Sequence, residues 1–194
     1  MPSKKEIGLF FGSFNPIHHG HLMIANYFLC FAPFDEVWFV VSPQNPLKNK
    51  KILADEYHRL EMVNLAIGDF DKFKASNIEF NMPKPSYTID TLIHLCDKYP
   101  HYQFSLIMGS DNLLTFHKWK NYEIILRDYN IYVYPRKDFI EQNMIQHAHI
   151  KFIDAPLIEI SSTFIRNAIK DKKNIPFFLP EKVFQYILDC NIYQ

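Results

Sequence analysis

The chain has 194 residues, carries 21 Lys+Arg against 21 Asp+Glu, and is 48% hydrophobic and 16% aromatic. That length suits one domain with a sizeable core, and the apolar content excludes a disordered chain. Zero formal charge argues against a general polyanion binder such as a nucleic-acid-coating protein, while a local basic pocket remains open. No apolar run approaches the ~18 residues of a membrane span, and the run after Glu6 breaks at Gly12-Ser13, which makes it a poor signal peptide.

Taken in chain order, Glu6–Phe11 reads as a short buried strand that stops at Gly12. His19–Cys30 places Leu22, Ala25, Phe28 and Leu29 at helical spacing, and Glu36–Val41 is a second buried strand closed by Ser42-Pro43. Asp55 can cap a helix through Ile67, with Tyr57, Leu60, Val63 and Leu65 among its apolar positions. Lys72–Ser76 reads as a third strand, and Asn81–Tyr87, with two prolines, as a loop. Thr88–Tyr99 predicts a helix with Ile89, Leu92, Ile93 and Cys96 on one side, stopped by Pro100. Gln103–Met108 is a strand ending at Gly109, Tyr122–Arg127 a short helix, and Asn130–Tyr134 a strand ending before Pro135. Asp138–Ile145 reads as a helix and Ile150–Ile153 as a weak last strand. Ser161–Lys170 and Glu181–Cys190 are closing helices, the second introduced by Pro180.

This alternation predicts one α/β domain over residues 1–194, a doubly wound Rossmann-like parallel sheet with helices on both faces. In such folds ligands bind beyond the carboxyl ends of the strands, so the informative residues should follow strands. The cysteines Cys30, Cys96 and Cys190 are far apart and odd in number, which points to buried free thiols in a reducing cytosol. Phe177-Phe178 is assigned to core packing rather than to an interface. Glycine is scarce: five occur where ~7% usage would give about 13, and Gly8, Gly12 and Gly20 fall within the first 20 residues.

After the first strand comes Gly12-Ser13-Phe14-Asn15-Pro16-Ile17-His18-His19-Gly20-His21. Gly12 lets backbone approach a ligand, and His18 and His21, three apart at a helix start, share one face. A helix N-terminus suits phosphate, and two imidazoles there can donate hydrogen bonds or carry added charge. As isolated residues they fit a solvent-facing polar turn equally well; a metal site lacks a nearby carboxylate or thiol at suitable spacing. After the last strand, Ser161 is an N-cap candidate, Ser162 and Thr163 place hydroxyls at the positive helix end, and Arg166 lies one turn on. An ordinary capped helix with a surface arginine explains this second segment by itself.

The first segment resembles the G-x-F-x-P-x-H-x-G-H signature of the nucleotidyltransferase superfamily of small α/β adenylyl- and cytidylyltransferases, with Asn15 where many bacterial members have Asp. Ile160–Arg166 resembles the I-S-S-T-x-I-R signature of the same superfamily, about 140 residues later. Ser86-Tyr87-Thr88-Ile89-Asp90-Thr91-Leu92 is similar to the S-Y-T-x-D-T-L segment of bacterial nicotinate mononucleotide adenylyltransferases. Met108–Leu113 is similar to their G-x-D-N turn, Trp119 falls where they have a tryptophan, and Tyr57-His58-Arg59 opens the next helix as it does there. Ser42–Lys48 is similar to their proline-rich loop, with Leu47 where they have histidine.

The resemblance implies transfer of adenylate from ATP to nicotinate mononucleotide, with nicotinamide mononucleotide as the alternative acceptor. Phosphopantetheine, or nucleotide sensing without catalysis, fits less well. It implies catalytic roles for His18, His21 and Arg166, and ATP contacts from Gly12, Ser13, Phe14, Gly109, Asp111, Ser162 and Thr163. It assigns the mononucleotide to Asn45, Lys48, Tyr87, Thr88 and Trp119, with Trp119 stacking on the pyridine ring. Asp90 is read as a first-turn helix residue rather than a base. Mg²⁺ is expected to arrive with ATP, held mainly by phosphates and by no protein cage. The expected partners are thus ATP and the mononucleotide, with no nucleic acid or membrane and with self-association open.

Overall fold

A computed structural model describes residues 4–44, 53–136 and 147–194. The six expected strands are present: β1 (Lys5–Gly12), β2 (Glu36–Val41), β3 (Phe73–Ser76), β4 (Tyr102–Gly109), β5 (Ile131–Tyr134) and β6 (Ile150–Phe152). All neighbours are parallel, in the order β3-β2-β1-β4-β5-β6. The chain builds outward from β1 to β3, then returns to β4 and builds the other way. This reversal between β1 and β4 opens a crevice beyond their carboxyl ends.

Strand alternation divides the core into two layers. Phe10 of β1, Phe39 and Val41 of β2, Ile107 of β4 and Tyr132 and Tyr134 of β5 face one side. There they meet α1 (His19–Phe31), α2 (Glu56–Ile67), α6 (Ser162–Lys170) and α7 (Glu181–Asp189). Ile7 and Leu9, Trp38 and Val40, Leu106 and Met108, and Ile131 and Val133 face the other side. They are covered by α3 (Thr88–Lys98) and α5 (Tyr122–Asp128). β2, buried at every position, needs apolar or braced residues on both faces, which explains its unalternating Val-Trp-Phe-Val-Val run.

Local signals set the helix ends. The Asp55 carboxylate accepts the Tyr57 N–H at 2.9 Å to start α2, and Gly68, at φ 53°, ends it in a conformation that side chains resist. Ser161 accepts the Phe164 N–H at 3.2 Å to start α6.

Several expectations are corrected. A one-turn helix, α4 (Ser110–Leu114), and 3-10 turns at Ile78–Asn81 and Phe116–Lys118 occupy stretches read as loop or left unassigned. On α3 the inward face carries Ile89, Thr91, Leu92 and Leu95, leaving Ile93 exposed, because Leu95 rather than Ile93 completes the stripe under the sheet. Tyr57 is exposed on α2, where Arg59, Met62 and Val63 turn inward. The thiols are not buried: Cys30 and Cys190 sit exposed near helix ends and Cys96 is half-buried. Phe177 is 91% exposed, whereas Phe178 packs against Phe164 with ring centroids 5.0 Å apart. The expected helix over Asp138–Ile145 lies outside the described residues.

Arg59 is the largest fully buried side chain among the described residues, at 1% exposure. Its Nε donates to the Ala54 carbonyl at 2.9 Å, and its Nη1 to the carbonyls of Ser13 and Ser42, both at 2.7 Å. Its Nη2 donates to the Pro43 carbonyl at 3.0 Å. One guanidinium thus ties the loops after β1 and β2 to the start of α2. Burial lowers its pKa, opposed by Tyr193, Glu56 and Asp55. Arg59→Met removes the shared donor and leaves the carbonyls unpaired. It should cost about 3 kcal/mol or more in chemical denaturation; a loss below about 1 kcal/mol would show that water or other groups replace it.

Candidate active site

The site grows from the turn after β1. Phe14 adopts a left-handed backbone, φ 44°, and folds its ring back over Gly12. A Cβ on Gly12 would lie 2.7 Å from that ring, so any larger residue would have to displace the buried Phe14 side chain. The ring also packs edge-on against Phe10, Phe39 and His21. Asn15 is buried, and its Oδ1 accepts the Ala54 N–H at 3.0 Å and the Tyr193 hydroxyl at 2.7 Å. Its amide oxygen therefore anchors both the start of α2 and the end of the chain.

His18 caps α1 and His21 lies in its first turn. Their rings stack with centroids 3.8 Å apart and planes 29° apart. The backbone N–H of His18 donates to Nδ1 of His21 at 3.3 Å. With Nδ1 accepting, a neutral His21 carries its proton on Nε2 and has a donor to offer a phosphate oxygen. Burial, reinforced by the charges of Arg136 and His19, lowers the His18 pKa to about 3. The expectation that either imidazole could carry added charge therefore fails for His18, which acts as a neutral ring. Its Nδ1 is buried with no hydrogen-bond partner among the described residues.

α6 closes the same end. The Ser162 hydroxyl donates to the Pro16 carbonyl at 2.9 Å, and Arg166 donates to the Asn15 carbonyl at 2.7 Å and to the Thr163 hydroxyl at 3.2 Å. Two helices, α1 and α6, are thereby pinned with their N-termini at one place. Ser162 uses its hydroxyl proton on Pro16, so what it offers an anion is its backbone amide, together with that of Thr163 and the Arg166 charge.

On the opposite wall, Gly109 ends β4 and Asp111 lies in α4. Arg136, two residues beyond β5, lies over the Tyr134 ring at 5.1 Å and donates to its hydroxyl at 3.1 Å. Its Nε is 3.8 Å from Asp111 Oδ1. At the far end, Trp119 is half-buried against Phe116, and Tyr87 and Thr88 begin α3. Lys120 pairs with Asp90 at 2.8 Å and lies 4.8 Å over the Tyr87 ring. Asp90 is thus a surface ion-pair partner in the first helical turn, as expected. Below the α3 turn, the Glu79 carboxylate accepts the hydroxyls of Ser86 and Thr91, both at 2.8 Å.

These parts line one cleft of about 1180 Å³ at the point where the strand order reverses. Every residue expected from the two signatures lies along it, as do Tyr87, Thr88, Gly109, Asp111 and Trp119. Asn45 and Lys48 lie outside the described residues. Arg136 and Glu79 also line the cleft and were not singled out from sequence. Arg136 could have been found by extending to β5 the rule that functional residues follow strands. Glu79 had a fainter signal, an acid set between the apolar Ile78 and Phe80. Nothing local marked Tyr193.

Fold and cleft together define the class: a doubly wound nucleotide-binding protein with a polyphosphate-suited end and an aromatic end in one crevice. Residues 9–168 match the family model described as cytidylyltransferase-like, and the chain belongs to that family. It is 57% identical over 191 residues to a probable nicotinate-nucleotide adenylyltransferase of Flavobacterium psychrophilum, covering 97% of this chain and 99% of that one. It is 50% identical to a protein of the same name from Cytophaga hutchinsonii, covering 97% and 98% of the two chains. Among solved structures it resembles a Plasmodium falciparum nicotinic acid mononucleotide adenylyltransferase complexed with NaAD, with a TM-score of 0.81 at 21% identity and 97% coverage of both chains. That likeness supports the doubly wound fold.

The lowered pKa of His18 makes stability depend on pH. Between its ordinary value of 6.5 and about 3, the unfolded chain binds a proton that the folded ring does not. This contribution is therefore complete above pH 6.5 and declines as pH falls through that window. The His18 ring resonances should not titrate from pH 8 to 5, and His18→Gln should flatten the acid side of the Tm–pH curve. A midpoint near the ordinary histidine value would refute the buried neutral assignment.

Proposed function

We propose that the chain, as one domain over residues 1–194, transfers adenylate from ATP to nicotinate mononucleotide, giving nicotinate adenine dinucleotide and pyrophosphate. The observation that carries this is the single cleft, with its paired histidines, α6 amides and Arg166 at one end and Trp119 with the α3 N-terminus at the other. The near-full-length relatives at 50% identity or more bear the name of that activity.

The acceptor's phosphate oxygen attacks the α-phosphorus of ATP, a new P–O bond forms, and the bond to the bridging oxygen breaks as pyrophosphate leaves. A phosphate monoester is already anionic near neutral pH, so no strong base is required. The residues' work is alignment and charge stabilisation. His21, through Nε2–H, and the neutral His18 hold the triphosphate and steady the charge that develops on the leaving group. Arg166 and the amides of Ser162 and Thr163 hold the β- and γ-phosphates, while Gly12, Ser13 and Phe14 line the nucleotide through backbone. Gly109 and Asp111 bound the adenosine side.

At the acceptor end, Trp119 stacks on the pyridine ring and the Thr88 amide receives its carboxylate. Lys48 and Asn45 are assigned to the mononucleotide, Lys48 to its phosphate. A divalent cation such as Mg²⁺ would arrive bound to the phosphates of ATP, where it would supply charge neutralisation. We infer cytoplasmic residence from the free thiols of Cys30, Cys96 and Cys190, which suit a reducing compartment.

Pyrophosphate release with ATP should be faster with nicotinate mononucleotide than with nicotinamide mononucleotide at equal low concentration. Preference for the amide would overturn the acceptor assignment, and ATP binding without acceptor-dependent release would indicate a sensor. His21→Ala should lower kcat by ~10² or more; an unchanged kcat with a raised KM would remove its transition-state role. Trp119→Ala should raise KM for the mononucleotide about tenfold and leave that for ATP near wild type. Equal effects on both substrates would rule out stacking.

A further inference from the structure

Glu79 is 2% exposed, in the 3-10 turn between β3 and α3, and it borders the cleft. Its described hydrogen-bond partners are hydroxyls. Ser86 donates to Oε2 and Thr91 to Oε1, each at 2.8 Å, and the Ser42 hydroxyl at the end of β2 also favours the charged form. Burial pushes the carboxyl pKa up while the three hydroxyls oppose it. A buried carboxylate is an expensive way to satisfy two hydroxyls that water or backbone could serve, so its position calls for a role.

That position is specific. Ser86 and Thr91 flank Tyr87-Thr88, one on each side, and Glu79 bridges them from beneath. The Thr91 hydroxyl also lies 3.3 Å from the Tyr87 carbonyl, the acceptor of the first i−4 bond of α3. The bridge therefore fixes the helix start from both directions and sets where the Thr88 amide points. The Ser and Thr of the Ser86–Leu92 segment thus serve the protein's own carboxylate.

We propose that Glu79 is a positioning residue for the acceptor, holding the first turn of α3 where its amide receives the pyridine carboxylate. The inference rests on the acceptor reading given above. It separates alignment from charge: a carboxylate acting mainly on the acceptor's own carboxylate would repel it, and its removal would tighten binding. Glu79→Gln keeps the shape but opposes one hydroxyl donor with an amide donor. The same bridge is cut from the other side by Thr91→Val.

The test is steady-state pyrophosphate release by the full chain, with ATP and nicotinate mononucleotide varied separately and Tm recorded for each variant. Glu79→Gln should raise KM for the mononucleotide about tenfold while KM for ATP stays within about twofold. Thr91→Val should move the same constant in the same direction, and the double variant should cost less than the two effects combined. If Glu79→Gln does not fold, Thr91→Val decides by the same split. An unchanged or lowered acceptor KM overturns the proposal, and so does a parallel rise in both KM values, which would mark a structural brace. Wild-type protein that turns over no nicotinate mononucleotide removes the acceptor reading and this inference with it. Normal wild-type turnover with indifferent variants removes the inference alone.

Discussion

The guanidinium of Arg59 decides whether the cleft has a floor. At the carboxyl ends of β1 and β2 the chain leaves the sheet, and its carbonyls lose their ladder partners. Three of these, on Ser13, Ser42 and Pro43, converge on the buried Arg59 guanidinium, which also takes the Ala54 carbonyl at the start of α2. Water could satisfy those carbonyls, but water would not fix their separation. From the other side, Asn15 takes donors from Ala54, Tyr193 and Arg166. The turn that carries the first signature is thus held by α2, α6 and the last residues of the chain.

The charge pattern at the polyphosphate end follows from burial. Permanent charge is carried by the guanidinium groups of Arg166 and Arg136. The imidazoles of His18 and His21 stack on each other in the same cleft, and His18 is kept neutral by desolvation and by Arg136. A neutral imidazole still donates a hydrogen bond, so the pair gives direction while the arginines and helix N-termini give field. This division holds an anion in register without two adjacent imidazolium rings repelling each other.

Legibility in the sequence tracked how local the determining contacts are. β2 was readable to the residue because burial on both faces forces a continuous apolar run. Asp55 and Ser161 acted within a few residues of themselves, and both signatures could be read because their parts are close in sequence. Arg59 was noticed only as part of a helix start, since its acceptors lie up to 46 residues away. Tyr193 was silent because its partner is 178 residues away. Ile93 was misplaced because α3 chooses its inward face by fit against the sheet, which spacing alone does not settle. The Ser162 hydroxyl, which in sequence looks available to an anion, donates to Pro16 in the fold, a partner 146 residues away that no local pattern marks. The cysteines looked buried because free cysteine usually is, whereas Cys30 and Cys190 fall at the exposed ends of helices.

The bonds from Ser162 to Pro16 and from Arg166 to Asn15 span 146 and 151 residues. During vectorial synthesis the first signature emerges from the ribosome long before the helix that completes it. Until α6 is made, the nascent chain therefore lacks Ser162 and Arg166, the residues that tie this turn to that helix. A fragment that stops short of α6 therefore lacks the contacts by which that helix holds the turn after β1.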